Sequence, residues 1–203
     1  MNMPFEANTF DGAYELEATC HSPSLEAVYY EIFRVLKPGA CFGGYAWAMT
    51  DKYDETNETH RRIKYRIELG NGLPPMHTTH ELLEVMRKIG FKIIEVTDFA
   101  TLEKHLPVPW YSELAASYTL AGFRYTRVGR TLTSSMLNVF EKVGLAPKGS
   151  LETAEMLNAT ALDLVDGGKE KIFTPSFFVL AQKPEDMTLP LISKPVLDSK
   201  KTH

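Results

Sequence analysis

The chain has 203 residues, of which 44% are hydrophobic and 24% charged, and its formal net charge is −4. This length allows a buried core, and the acidic balance gives no electrostatic case for a nucleic-acid partner or an anionic membrane surface. Two cysteines without CxxC spacing exclude a disulfide framework and indicate a reducing compartment. The apolar runs are too short to cross a bilayer, so membrane association would be peripheral.

The chain opens with a predicted strand, Phe10 to Ala18, that runs into the turn LEATCHSP. Ser22 is predicted to cap the next helix, with Pro23 at its first position. Apolar residues at helical spacing continue to Leu36, and Lys37-Pro38-Gly39 predicts the helix end.

A second strand is predicted over Ala40 to Met49, followed by a helical pattern and a break at Gly70 to Pro75. Thr78 and Glu81 have the spacing of a capping box, and a third strand is predicted over Phe91 to Val96. This alternation predicts an α/β domain with a mainly parallel sheet over residues 1–100.

The residue pattern changes over residues 101–184, which contain the proline-broken segment HLPVPWY near their start. Two helices are predicted from apolar spacing, the first ending at Gly144 and the second at Gly167-Gly168. Ile172 to Ala181 is predicted as the last strand, and residues 185–203 as a loose polar tail.

The glycines do not form the glycine-rich turn that nucleotide and sulfonium cofactors usually need between a first strand and its helix. The three successive strands therefore correspond to the second half of a doubly wound, Rossmann-like sheet. The sequence is expected to be truncated.

Several motifs together indicate a family. They are MPFEANTFDGAYELEATCHSP, YYEIFRVLKPG, MTDKYDETNETHRRIKYRIELGNGLP, VGRTLTSSMLNVFEKVGLAPKGS and DGGKEKIFTPSFFVLAQKP. On these residues the chain resembles the C-terminal part of sterol 24-C-methyltransferases, from Met1 to about Pro184. The resemblance implies transfer of a methyl group from S-adenosylmethionine to C24 of a Δ24 sterol in sterol biosynthesis, without a metal.

The same resemblance implies a sterol substrate and work at the endoplasmic reticulum or lipid-droplet surface, with a homo-oligomer left open. Two departures accompany it. Ala46 stands where the family usually has glutamate, and Asn71 stands where it usually has an acid. Glu15 also replaces a small or apolar residue in a strand that should be buried, where a lone carboxylate is costly.

Ligands bind outside the carboxyl ends of the strands in such sheets, where LEATCHSP lies. The resemblance therefore makes Glu17 or His21 the proton-accepting base or its positioning partner, and makes Glu17 and Ala18 cofactor contacts. From spacing alone, Glu17 as a helix cap and His21 as a turn residue would be favoured.

Seven residues are expected to contact substrate: Tyr14, Cys20, Tyr45, Trp47, Asp51, Glu68 and Trp110. Tyr14, Tyr45 and Trp47 could equally be core, and Trp110 could lie at a membrane interface. Asp51 could be a turn former and Glu68 a solvated helix residue. Cys20 is interpreted as a pocket wall because nothing indicates a lowered thiol pKa. His77 and His80 lie beside the capping box, which argues against a metal site.

Two other functions stay open. One is another small-molecule methyltransferase on the same sheet. The other is a truncated, non-catalytic product that binds sterol or pairs with a full-length subunit, which the lack of a glycine-rich turn favours.

Overall fold

A computed structural model of the chain describes residues 2–101, 108–115 and 126–195. The described residues form an α/β arrangement of four strands and five α-helices, with short 3₁₀ turns at Thr19–His21 and Trp110–Glu113. In chain order these elements are β1 (Phe10–Leu16), α1 (Leu25–Val35), β2 (Leu36–Met49), α2 (Glu58–Asn71), α3 (Thr79–Ile89), β3 (Lys92–Asp98), α4 (Arg127–Lys142), α5 (Ser150–Lys169) and β4 (Phe173–Gln182). The predicted α/β class is confirmed, with element boundaries shifted by a few residues.

The sheet has the strand order β1-β2-β4-β3. β1 and β2 are parallel, and Leu16 pairs with Tyr45 at their carboxyl ends. β4 runs antiparallel to β3 and lies between β2 and β3. The sheet is therefore mixed, because β1 and β2 are parallel whereas β3 and β4 are antiparallel.

The chain divides into two compact units. The first contains residues 2–53, 74–101 and 174–195, and the second contains residues 54–73, 108–115 and 126–173. The core of the first unit packs α1 and α3 against the sheet, and the ring of Phe91 contacts those of Phe33, edge-on, and Phe42, tilted. This core fixes the direction in which β1 and β2 present their carboxyl ends.

The helix starts show where local prediction succeeds and fails. Thr78 and Glu81 form the predicted capping box at α3. The prediction of Ser22 as the cap of α1 is wrong, because Ser24 accepts the hydrogen bond from the Ala27 N–H. Ser22 is instead buried, and its hydroxyl donates to the carbonyl of Ser24.

In the second unit, α2 packs against α5. The predicted end of a helix at Gly167-Gly168 is wrong, since α5 continues to Lys169. A Cβ at Gly167 would lie 3.1 Å from Ile67 and Phe173, and one at Gly168 would overlap the ring of Tyr111. These glycines therefore allow close packing within a helix and do not end it.

Two buried charged groups lie at the amino ends of β1 and β2. Glu31 accepts hydrogen bonds from the Met3 N–H at 2.7 Å and from Arg34, and Lys194 lies 3.3 Å from it. Burial opposes its ionisation, but these donors lower the pKa of Glu31 to about 2. Residues up to 195 are thus partly packed, although they were predicted as a loose tail.

The second buried charge is Lys183, which follows β4. Its ammonium donates to the carbonyls of Phe33 and Leu36 at 3.0 and 2.7 Å, and also to the side chain of Asn8 and the carbonyl of Thr188. α1 runs directly into β2, so Lys183 supplies the donors that the final carbonyls of this helix would otherwise lack. Burial lowers the pKa of Lys183 to about 8.

Within the described ranges, no helix combines the length and the apolar character needed to span a membrane.

Candidate functional site at the carboxyl ends of the parallel strands

The turn that follows β1 is organised by Glu15. Its carboxylate accepts hydrogen bonds from the Ala18 N–H at 2.7 Å, the Thr19 N–H at 3.2 Å and the Thr19 hydroxyl at 3.0 Å. An added Cβ at Gly44 on β2 would lie 3.0 Å from Glu15 Oε1, so that glycine makes room for the carboxylate. The costly lone carboxylate expected at position 15 is therefore neither lone nor fully buried.

Glu17 sits at the tip of this turn with a positive φ of 54°. Its N–H donates to the carbonyl of Tyr45 at 2.8 Å, which continues the pairing of β1 with β2. The side chains of Glu17 and His21 are both exposed. The structure thus holds the backbone of this turn rigidly and leaves the two candidate proton-transfer groups open to solvent.

Cys20 packs on the inner side of the turn. Its thiol donates to the carbonyl of Glu17 at 3.1 Å. Burial is the main cause that raises the thiol pKa, and the carboxylates of Glu15 and Glu17 raise it further. A protonated thiol is a poor nucleophile, which supports the interpretation of Cys20 as a wall residue.

Aromatic side chains gather on one face of the sheet beside the turn. Tyr45 lies 5.1 Å from Phe178 and 5.8 Å from Phe99, measured between ring centroids. Phe99 and Phe178 are 5.9 Å apart, and we call these three residues the aromatic cluster. Trp47 is half-buried and shares the face of Tyr45 by strand alternation, whereas Tyr14 is 82% exposed.

The three remaining residues that were predicted to contact substrate, Asp51, Glu68 and Trp110, are not part of the aromatic cluster. Asp51 is exposed in the turn after β2. Glu68 belongs to the second unit and forms an ion pair with Lys64 at 2.6 Å. Trp110, also in the second unit, packs edge-on against Tyr111 and Phe173.

An apolar groove of about 550 Å³ runs along β1, and we call it the β1 groove. This volume falls within the range of small-molecule sites, roughly 300–1,000 Å³. Ala18, Thr19 and His21 from the turn line one part of it. Tyr14, Glu15 and Ser22 also line it, and the other lining residues are mostly apolar, among them Met3, Phe10, Ala13, Val28, Ile32 and Val35. His21 therefore borders apolar surface, whereas Glu17 is not among the lining residues.

Among the described residues, no three His, Cys, Asp or Glu side chains are grouped closely enough to hold a metal ion. The exposed His77 and His80 face the carboxylates of Glu81 and Glu84 at 3.7 and 3.5 Å, one helical turn further along α3.

Sequence reasoning missed the roles of Glu15, Thr19, Phe99 and Phe178. The spacing of Glu15 and Thr19 is a usable signal, because a carboxylate can accept hydrogen bonds from the backbone of a turn that begins three residues later. The aromatic cluster had a weaker signal, since Phe178 follows the buried Phe177 and must point to the opposite face of β4.

In sequence, the chain is similar to methyltransferases. The family model "Methyltransferase domain" matches residues 1–42, and "Sterol methyltransferase C-terminal" matches residues 120–185. Sterol 24-C-methyltransferase of Kluyveromyces lactis is 47% identical over 91% of this chain and 52% of its own length. Cycloartenol-C-24-methyltransferase 1 of Oryza sativa subsp. japonica is 49% identical over 91% of this chain and 53% of its own length.

Solved structures give the same fold. Geranyl diphosphate C-methyltransferase from Streptomyces coelicolor A3(2) superposes with a TM-score of 0.56 at 12% identity, covering 90% of this chain and 48% of that one. Phosphoethanolamine N-methyltransferase 2 of Haemonchus contortus gives 0.54 at 17% identity, covering 89% and 34%. The fold is that of S-adenosylmethionine methyltransferases, and the chain spans about half the length of the curated relatives it matches.

Proposed function

We propose that this chain, a homologue of the sterol 24-C-methyltransferases that spans about half of their length, provides the C-terminal half of such an enzyme. The reaction would transfer a methyl group from S-adenosylmethionine to C24 of a Δ24 sterol. The observation that carries the proposal is the LEATCHSP turn at the carboxyl end of β1, in a chain 47% identical to a sterol 24-C-methyltransferase.

S-adenosylmethionine supplies an electrophilic methyl group when bound. Glu17 and Ala18 are the residues of this chain that would hold it, and they fit only part of such a site because the sequence has no glycine-rich turn. Glu15 fixes the Ala18 and Thr19 N–H groups, so the turn is preorganised before any ligand arrives. This rigidity would let the turn orient its ligands at little entropic cost.

An alkene is a weak nucleophile, and its methylation leaves a carbocation that must lose a proton. The aromatic cluster, with Trp47 on the same face, would stabilise a neighbouring cation through the ring faces. Glu17 or His21 would accept the departing proton. Both groups are exposed here, and His21 borders the apolar β1 groove, so a bound sterol would have to exclude water around them.

A sterol substrate dissolves in membranes, so the enzyme would work as a peripheral protein at the endoplasmic reticulum or at lipid droplets. The proposed partners are therefore the sterol and a membrane surface.

A chimera tests the proposal. The first half of the Kluyveromyces lactis relative, joined to this chain, is incubated with methyl-labelled S-adenosylmethionine and a Δ24 sterol. We expect label in a C24-methylated sterol, because this chain would complete the site. A folded chimera that binds S-adenosylmethionine but labels no sterol would contradict the proposal.

The apolar β1 groove would also suit a second candidate, a non-catalytic chain that binds sterol or pairs with a longer subunit. Titration calorimetry separates the two. Heat from S-adenosylmethionine added to this chain alone would support the catalytic proposal, and heat from sterol alone would favour the second candidate.

A further inference from the structure

A row of exposed apolar side chains lies on α4, in the second unit. Five side chains at helical spacing are each between 49% and 61% exposed, and we call them the α4 stripe: Val128, Leu132, Met136, Val139 and Val143. Leu145, just beyond the helix, is 75% exposed. Exposed apolar residues scattered singly are ordinary on proteins, but a continuous row along four helical turns usually marks an interaction surface.

The opposite side of α4 faces α5. Arg130 donates to the carbonyl of Asn158 at 2.9 Å, and Glu141 accepts the Leu151 N–H at 2.6 Å at the start of α5. Because these residues are eleven positions apart, they lie on the same side of the helix, and the α4 stripe lies on the other. The helix therefore turns its polar side towards its neighbour and its apolar side outward, the reverse of the usual arrangement.

The charge of this helix indicates which kind of partner would cover the α4 stripe. Residues 126–149 contain four basic side chains and one acidic side chain, a net charge of +3 in a chain whose total is −4. Glu141 and Arg130 are both engaged with α5, on the side opposite the α4 stripe, so Lys142 and Lys148 are the basic residues considered for contact with headgroups. A basic, amphipathic helix with an unpartnered apolar side is the pattern of helices that lie in the headgroup region of anionic membranes.

We propose that α4 docks this protein on an anionic lipid surface, with the α4 stripe inserted among the acyl chains and Lys142 and Lys148 near the headgroups. This proposal rests in part on the proposed function, because a sterol substrate is dissolved in membranes. It depends on neither cofactor nor turnover, so vesicle binding is measured independently of methyl transfer, and either proposal can fail alone.

Co-flotation of the 203-residue chain with vesicles tests the docking. The vesicles contain phosphatidylcholine alone or phosphatidylcholine mixed with phosphatidylserine. We expect binding to the mixed vesicles that weakens with added salt. Leu132→Glu should reduce the bound fraction about tenfold or more, because it replaces an inserted side chain with a charge.

Leu189→Glu is the matched control, because Leu189 is exposed to 61% and Leu132 to 59%, and Leu189 lies outside α4. It should bind vesicles like the unaltered chain. Circular dichroism checks the fold of each variant, and Val139→Glu replaces Leu132→Glu if the latter does not fold. Charge reversal at Lys142 and Lys148 together should weaken binding to mixed vesicles and leave the weak binding to phosphatidylcholine unchanged.

Four results would overturn the proposal. The first is no binding of the unaltered chain to mixed vesicles. The second is equal loss of binding in the Leu132→Glu and Leu189→Glu variants. The third is equal binding of the unaltered chain to both kinds of vesicle. The fourth is a dimer in sedimentation that Leu132→Glu dissociates and vesicles do not, which would assign the α4 stripe to a second copy of the chain.

Discussion

The amino and carboxyl ends of the parallel strands β1 and β2 differ in whether their charged side chains are buried or exposed. At the amino ends, Glu31 and Lys183 are fully buried and surrounded by hydrogen-bond partners. At the carboxyl ends, Glu17 and His21 are exposed, and only Glu15 is committed to holding the turn. The charged groups at one end therefore stabilise the fold, whereas those at the other end are exposed at the edge of the sheet where ligands bind in open α/β sheets.

The largest effect should come from the amino end, in a Lys183→Met variant. Met fills a similar volume but leaves the carbonyls of Phe33 and Leu36 without their donor. We expect the free energy of unfolding to fall by about 4 kcal/mol, because buried acceptors that lose a charged donor cost a few kcal/mol together. Equilibrium unfolding in urea measures the change.

Lys37→Met is the control for this variant, since Lys37 makes an exposed ion pair with Asp11. An exposed pair contributes about 1 kcal/mol or less. An equal decrease in the free energy of unfolding of both variants would show that the burial of Lys183 does not account for its contribution to stability.

A Glu31→Gln variant should show the next largest effect, with a distinct dependence on pH. The pKa of Glu31 falls from an ordinary 4.5 to about 2 in the folded chain, so its contribution is fully present above pH 4.5 and is lost as the pH falls towards 2. This contribution is on the order of 3 kcal/mol at neutral pH.

Urea midpoints measured from neutral to acidic pH test this prediction. The difference in stability between the unaltered chain and Glu31→Gln should shrink as the pH drops below about 4.5. A difference that stays constant over this range would mean that ionised Glu31 contributes nothing specific.

At the carboxyl end, a Glu15→Gln variant should have a smaller effect on stability, about 1 kcal/mol, because a neutral amide still accepts part of the turn's hydrogen bonds. Its clearer signature is the thiol of Cys20, whose pKa is raised by burial and then by the charge of Glu15. Removing that charge should lower the thiol pKa, and alkylation of Cys20 should become faster at mildly alkaline pH.

This rate is measured in a Cys41→Ser background, because Cys41 is exposed and would also react. Glu17→Gln is the matched control and should lower the thiol pKa less than Glu15→Gln does. The opposite order would contradict the arrangement of the turn.

The parts of this structure that the sequence predicts are those determined locally. The capping box at Thr78 and Glu81 follows from two side chains three residues apart, and the strand and helix alternation follows from apolar periodicity. The cap of α1 was misplaced by two residues because Ser22 and Ser24 offer the same chemistry, and tertiary burial of Ser22 decides between them.

What the sequence could not predict depends on distant partners. Gly167 and Gly168 look like a helix end, and only Ile67, Phe173 and Tyr111 show why the helix needs glycine there. Periodicity likewise predicts the α4 stripe but not that α5 packs against the polar side of that helix. For the candidate site, residue types at the turn were predictable, whereas the hydrogen bonds of Glu15 and the contacts of Phe99 and Phe178 were not.

The most direct test of the chemical role of the carboxyl end is a Glu17→Gln substitution in the chimera with the Kluyveromyces lactis relative. Gln keeps the size of the exposed side chain but cannot accept a proton at neutral pH. We predict that methylated sterol falls at least a hundredfold, in line with the loss of a general base, while the unfolding midpoint and the activity of a Glu6→Gln control stay unchanged. Turnover of Glu17→Gln equal to that of the unaltered chimera would contradict the proposed role of Glu17 in proton transfer.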